Sequence, residues 1–122
     1  MTNNNGNLSG SSISNKKFYY EWGDENNCEE IILAVHGYND YGNSFEKPGL
    51  FLENHNICTF AFDLNGFGKN KNRGDWFNVN IQITDVESQI IKLKEENPKK
   101  KIYLLGESMG GAIALSLISE KK

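Results

Sequence analysis

A chain of 122 residues with 38% hydrophobic and 24% charged residues is long enough for one globular domain and too short for two ordinary ones. Its formal charge of -3, with lysines interspersed among glutamates and aspartates, supplies no basic field and argues against a nucleic-acid binder or an anionic-lipid anchor. Two cysteines, Cys28 in a polar turn and Cys58 in an apolar run, do not make a disulfide framework and fit a reducing compartment.

Residues 1–15 are rich in Asn, Ser and Gly with little to bury, so a flexible arm is expected there, with the domain running from residue 16 to 122. The start lacks the basic and apolar regions of a secretory signal, and no later apolar run is long enough to span a bilayer. A cytoplasmic protein without a stable membrane anchor is the expectation. Lys17 to Trp22 is aromatic and β-prone, and the polar turn after it leads into Ile31 to His36, a continuous apolar run typical of a strand covered on both faces. Ser44 to Asn54 is weakly helical and interrupted by Pro48-Gly49. Ile57 to Phe62 reads as a second buried strand, followed by a loop rich in glycine and charge. From Asn78 to Asn97, Val79, Ile83, Val86, Ile90 and Leu93 recur at helical spacing, and Pro98 stops the pattern. Lys101 to Leu105 reads as a third buried strand, and Ser108 to Glu120 as an apolar helix ending in Lys121 and Lys122, cations suited to a helix C-terminus. This alternation predicts an α/β fold, a mainly parallel sheet with helices on both faces.

The stretch "YLLGESMGGAIALS" places Ser108 where a strand turns sharply into a helix. Such a turn forces its central residue into a strained backbone and lifts the side chain clear of the sheet, so its neighbours must be small. Gly106 and Gly110 satisfy G-x-S-x-G, and Gly111 lets the helix sit close to the strands. The helix N-terminus also stabilises developing negative charge. No G-K-[ST] is present, which disfavours a phosphate-binding P-loop, and the flanking strand and helix favour a nucleophile turn over a turn shaped only by packing.

Three motifs in order, "HGYND" at His36, "FDLNGFGKN" at Phe62 and "GESMGG" at Gly106, resemble the α/β-hydrolase family, in particular the monoacylglycerol lipase, lysophospholipase and serine-aminopeptidase-like group. The resemblance implies that Ser108 is the nucleophile and that the backbone N–H groups of Tyr38 and Met109 form the oxyanion hole. It also implies that His36 and Gly37 shape the oxyanion loop. The match is incomplete: Asp40-Tyr41 stands where close relatives of the lipases often have Glu-His, and Asn65 and Asn70 stand where they often have Arg and Ser.

In this fold the catalytic acid and histidine follow the nucleophile. Only 14 residues follow Ser108, none is His, and Glu120 stands twelve positions along the same helix, roughly 18 Å away. Of the two histidines, His36 belongs to the oxyanion loop by resemblance, and His55 is expected at the opposite edge of the sheet. The expectation is therefore the N-terminal part of a serine hydrolase of carboxylic esters, cut before its acid and base. An ester or lipid substrate is expected, with no cofactor and no metal. A complementing C-terminal chain is one way to complete the site, since the last strand would be an unpaired apolar edge. The alternative is an inactive remnant or an interaction module. "RGDW" at Arg73 lacks an export route to an adhesion receptor, and "KNKNR" and "KKK" are short basic clusters read as solvated loops. Asp63 is expected to order its own glycine loop.

Overall fold

The computed structural model describes residues 19–75 and 77–121. The expected arm, the domain start at residue 16, Trp76 and the final lysine lie outside the described residues. In chain order the elements are β1 (Tyr19–Trp22), β2 (Glu30–Val35), a 3-10 turn (Gly42–Phe45), α1 (Glu46–Glu53), β3 (Ile57–Phe62), α2 (Val79–Glu96), β4 (Lys101–Gly106) and α3 (Met109–Lys121). They build one four-stranded sheet in the order β1-β3-β2-β4. β2 pairs parallel with β3 and with β4, whereas β1 pairs antiparallel with β3, so the sheet is mainly parallel.

The two faces carry different cores. On one, Ile31, Leu33 and Val35 of β2 and Phe60 of β3 pack against Ile83, Val86 and Leu93 of α2 and Ile113 and Leu117 of α3. On the other, Tyr20, Trp22, Ala34 and Ala61 pack with Phe45, next to α1. Strands covered on both faces favour apolar residues on both sides, which is why β2 from Ile31 onward is continuously apolar and β3 is apolar but for the buried Thr59. Asn78 caps α2, its side-chain oxygen accepting the Ile81 N–H at 3.1 Å. α1 tolerates Pro48 because it lies in the first turn, where the missing N–H has no intrahelical acceptor to lose. Gly49 is required there for space: a Cβ would stand 2.7 Å from the Trp22 indole.

β4 departs from expectation. Its residues alternate between exposed and half-buried rather than being buried throughout, because one face rests on α2 and α3 and the other carries Tyr103 and Leu105 outward. α3 likewise buries Ile113 and Leu117 but leaves Leu115 71% and Ile118 59% exposed. Cys28 and Cys58 are both buried free thiols, Cys28 included despite its polar surroundings in sequence. Burial and the neighbouring Cys28 push the Cys58 thiol well above its ordinary range. Among the described residues no helix is long and apolar enough to cross a membrane.

The chain leaves β2 toward β3 through α1 on one face, then crosses back to β4 and continues in α3 on the other. The carboxyl ends of β2 and β4 thus border a switch point, the place where open α/β sheets bind ligands.

Candidate active site

Ser108 follows β4 directly and holds φ +59°, the left-handed region that a non-glycine residue occupies only when its surroundings impose it. Hydrogen bonds on both sides fix the turn. Glu107 N–H donates to Val35 O at 3.1 Å, extending the β2–β4 ladder, and Gly110 N–H donates to Glu107 O at 2.9 Å. Ala112 N–H donates to Ser108 O at 3.1 Å, the first turn of α3. Met109 opens that helix, so its N–H belongs to the helix's first turn, where backbone donors have no intrahelical acceptor.

Space around the turn is set by backbone. A Cβ on Gly110 would stand 2.1 Å from Val35 O, and one on Gly106 would stand 2.4 Å from Gly110 O. Gly111 differs: a methyl there would meet Gly106 O at 3.4 Å, an ordinary contact, so closeness to the strands does not itself demand glycine. Gly37 leans directly on the serine, and a Cβ added to it would lie 3.1 Å from Ser108 Cβ and 3.7 Å from its Oγ. The structure therefore brings together Ser108, Gly37 and the glycines of the turn.

His36 is fully buried, and both of its ring nitrogens are engaged. Leu64 N–H donates to Nε2 at 3.0 Å, so Nε2 is the unprotonated nitrogen. Nδ1 then carries the proton and donates to Gly37 O at 2.8 Å. Burial pushes the imidazole below its ordinary value, and the Gly37 bond and the carboxylates of Asp63 and Asp40 pull it partly back. A ring held this way ties β2's end to the loop after β3 and has no lone pair to take a proton from Ser108. His55 is not at the far edge of the sheet as expected, since β3 lies between β1 and β2; it is exposed at the N-terminal end of β3, the end of the parallel strands opposite Ser108, with Nδ1 3.1 Å from Phe51 O.

Asp63 does more than the sequence suggests. Its fully buried carboxylate accepts from Lys69 N–H at 2.9 Å in its own loop, and also from Gly42 N–H at 2.7 Å across the site. Tyr20 O–H donates to it at 3.3 Å, and burial together with Asp63 raises that phenol's pKa. Asn70 reinforces the same loop, its amide donating to Asp63 O and Leu64 O at 2.8 Å each. Phe67 was not singled out by sequence; its ring meets His36 and Tyr38 edge-on, with centroids 5.6 Å away in each case.

Between the loop after β2 and the loop after β3 opens a cleft of about 660 Å³, lined by residues 38–41, 66–69 and 73–75. Tyr38, one residue from Gly37, forms part of its wall, while Ser108 is not among its lining residues. Among the described residues no group of three His, Cys, Asp or Glu side chains converges as a metal site.

Residues 26–122 match the family model described as serine aminopeptidase, S33. The chain belongs to this family. The S33 chain is 30% identical to a serine hydrolase-like protein of Dictyostelium discoideum over 93 residues, 76% of its own length and 25% of the relative's. It is 26% identical to the monoglyceride lipase of Homo sapiens over 101 residues, covering 82% of this chain and 33% of the lipase. Among solved structures, a soluble variant of monoglyceride lipase from Saccharomyces cerevisiae superposes with a TM-score of 0.81 at 21% identity. That match covers 99% of the S33 chain and 42% of the yeast protein. A carboxyl esterase from Bacillus coagulans gives 0.77 at 21% identity, over 90% and 38% of the two chains. The sheet and its helices are thus part of an α/β-hydrolase fold, and the chain spans about a quarter to a third of the length of these curated relatives.

Proposed function

We propose that this chain carries the nucleophile side of a serine hydrolase of carboxylic esters, with Ser108 as nucleophile and the N–H groups of Met109 and Tyr38 as oxyanion donors. The observation that supports this most is Ser108 at φ +59° on a strand-to-helix turn, with Gly37 against its side chain. In this reading Ser108 Oγ attacks the ester carbonyl while its proton passes to a base. The tetrahedral oxyanion is stabilised by the two N–H groups, then collapses to an acyl-enzyme and a free alcohol, and water later releases the acid. Neither histidine of the chain serves as that base, His36 because both nitrogens are engaged and His55 because it lies at the far end of the strands. The base and its orienting acid come from polypeptide outside these 122 residues. The relatives named monoglyceride lipase favour a glycerol ester of a fatty acid as substrate.

Fluorophosphonate labelling read by intact mass, with Ser108→Ala as control, tests this. The chain alone is expected to label far below stoichiometry, and to gain a Ser108 adduct when a polypeptide bearing the later hydrolase strands is added. Labelling on another residue would overturn the assignment of Ser108, and full labelling of the chain alone would overturn the missing base.

A second reading, an interaction module that completes its sheet with another chain, rests on the edge position of β4 among the described strands and on the outward Tyr103, Leu105, Leu115 and Ile118. In that case Ser108→Ala leaves partner binding unchanged and mixing yields no activity.

A further inference from the structure

The cleft next to Tyr38 has charge of both signs. Lys69 and Arg73 line it as cations, Asp40 and Asp75 as carboxylates, and Tyr38 and Tyr41 add aromatic surface. Among the described residues none of these four charged groups forms an ion pair, so the opposite charges stand apart around an open volume of about 660 Å³. That volume suits a small molecule. Both walls are set before any ligand arrives. Asp63 holds Gly42 on one side and Lys69 on the other, and Gly74 N–H donates to Gly66 O at 2.8 Å to close the second loop on itself. Asn72 Oδ1 accepts Gly66 N–H at 2.7 Å in the same loop.

A simple anion would meet two cations but also two carboxylates, and a simple cation the reverse. A ligand with both charges a few ångströms apart satisfies both pairs. Arginine and lysine suit phosphate oxygens, Arg by its planar fork. Carboxylates and tyrosine rings suit an ammonium group. We propose that this cleft binds a zwitterionic phosphate ester, its phosphate at Lys69 and Arg73 and its ammonium at Asp40, Asp75 and the tyrosines. The site goes beyond the hydrolase reading without depending on it, because binding needs neither Ser108 nor a base.

The probe is sn-glycero-3-phosphocholine, titrated into the full 15N-labelled chain and followed by 1H–15N NMR, with glycerol 3-phosphate and choline as its two halves. Saturable shifts are expected in residues 38–41 and 66–75, with each half binding at least about tenfold more weakly than the whole. Lys69→Gln with Arg73→Gln, and separately Asp40→Asn, are expected to weaken the probe by about tenfold or more, with the spectrum itself reporting that each variant is folded. Co-sedimentation with phosphatidylcholine vesicles separates the two sources of this chemistry: binding to vesicles assigns a lipid head group, and binding of the soluble probe without vesicle binding assigns a free solute. Absence of both, glycerol 3-phosphate binding as tightly as the whole probe, or shifts confined to other parts of the chain would overturn the proposal. Fluorophosphonate labelling of Ser108 is unaffected by any of these outcomes, so failure here and failure of the hydrolase reading are separate results.

Discussion

Replacing Asp63 by Asn changes one atom at the point where the two site loops meet. The carboxylate accepts three hydrogen bonds, from Gly42 N–H at 2.7 Å, Lys69 N–H at 2.9 Å and Tyr20 O–H at 3.3 Å, with no exposure to water. An amide retains one oxygen, so whichever way it turns, one backbone N–H faces an NH2 donor. The loss of one charge-assisted bond and the burial of one unsatisfied donor together cost about 3 kcal/mol. At a urea slope of about 2 kcal/mol/M, the unfolding midpoint falls by about 1.5 M, read from tryptophan fluorescence. The damage is also local: amide exchange at Gly42 and Lys69 accelerates more than exchange in β2 or β3. A midpoint shift under about 0.5 M, or acceleration spread evenly over the sheet, would refute the role of Asp63 as the pin between the loops.

Two neighbouring glycines should separate in the same assay. Gly110→Ala drives a Cβ to 2.1 Å from a backbone carbonyl that cannot move without opening β2, and costs about 3 kcal/mol or more. Gly111→Ala has room and gains helix propensity, so it is neutral to stabilising by about 0.5–1 kcal/mol; equal effects at the two positions would contradict the packing described. His36 supplies the pH dependence. Its folded pKa lies below the ordinary 6.5, so the unfolded chain binds the extra proton. Its contribution is complete above pH 6.5 and declines as pH falls from there through the folded pKa. Long-range 1H–15N NMR should find His36 as the neutral Nδ1–H tautomer at pH 6.5, and a half-protonated ring there would refute the assignment.

β3 is legible in sequence to the residue because both of its faces are covered, and a strand so placed carries apolar side chains on both sides, here at every position but Thr59. The Ser108 turn is legible for a different reason: Gly106 is demanded by the backbone of Gly110 and Gly111, a few residues along the chain, although Gly110 itself is demanded by the distant carbonyls of Val35 and His36. What escapes a linear reading depends on contacts distant in sequence. β1 is a short aromatic run, and nothing within it states that it lies antiparallel to β3. Gly49 looks like a helix breaker until Trp22 is seen against it. β4 has the same apolar run as β2, yet lies at an edge among the described strands, so its outward residues are exposed. The Asp63 bond to Gly42 reaches back 21 residues, and no local pattern encodes it.

The backbone angle at Ser108 has a consequence for anyone evolving this chain toward heat tolerance. A serine at φ +59° occupies a conformation that disfavours side chains by about 1 kcal/mol, while glycine enters it freely. A screen that rewards only survival on heating therefore favours Ser108→Gly, and its winners lose the hydroxyl. If Ser108 is the nucleophile we propose, thermal robustness and reactivity compete at this one residue, and a library for stabilising the domain should hold position 108 fixed.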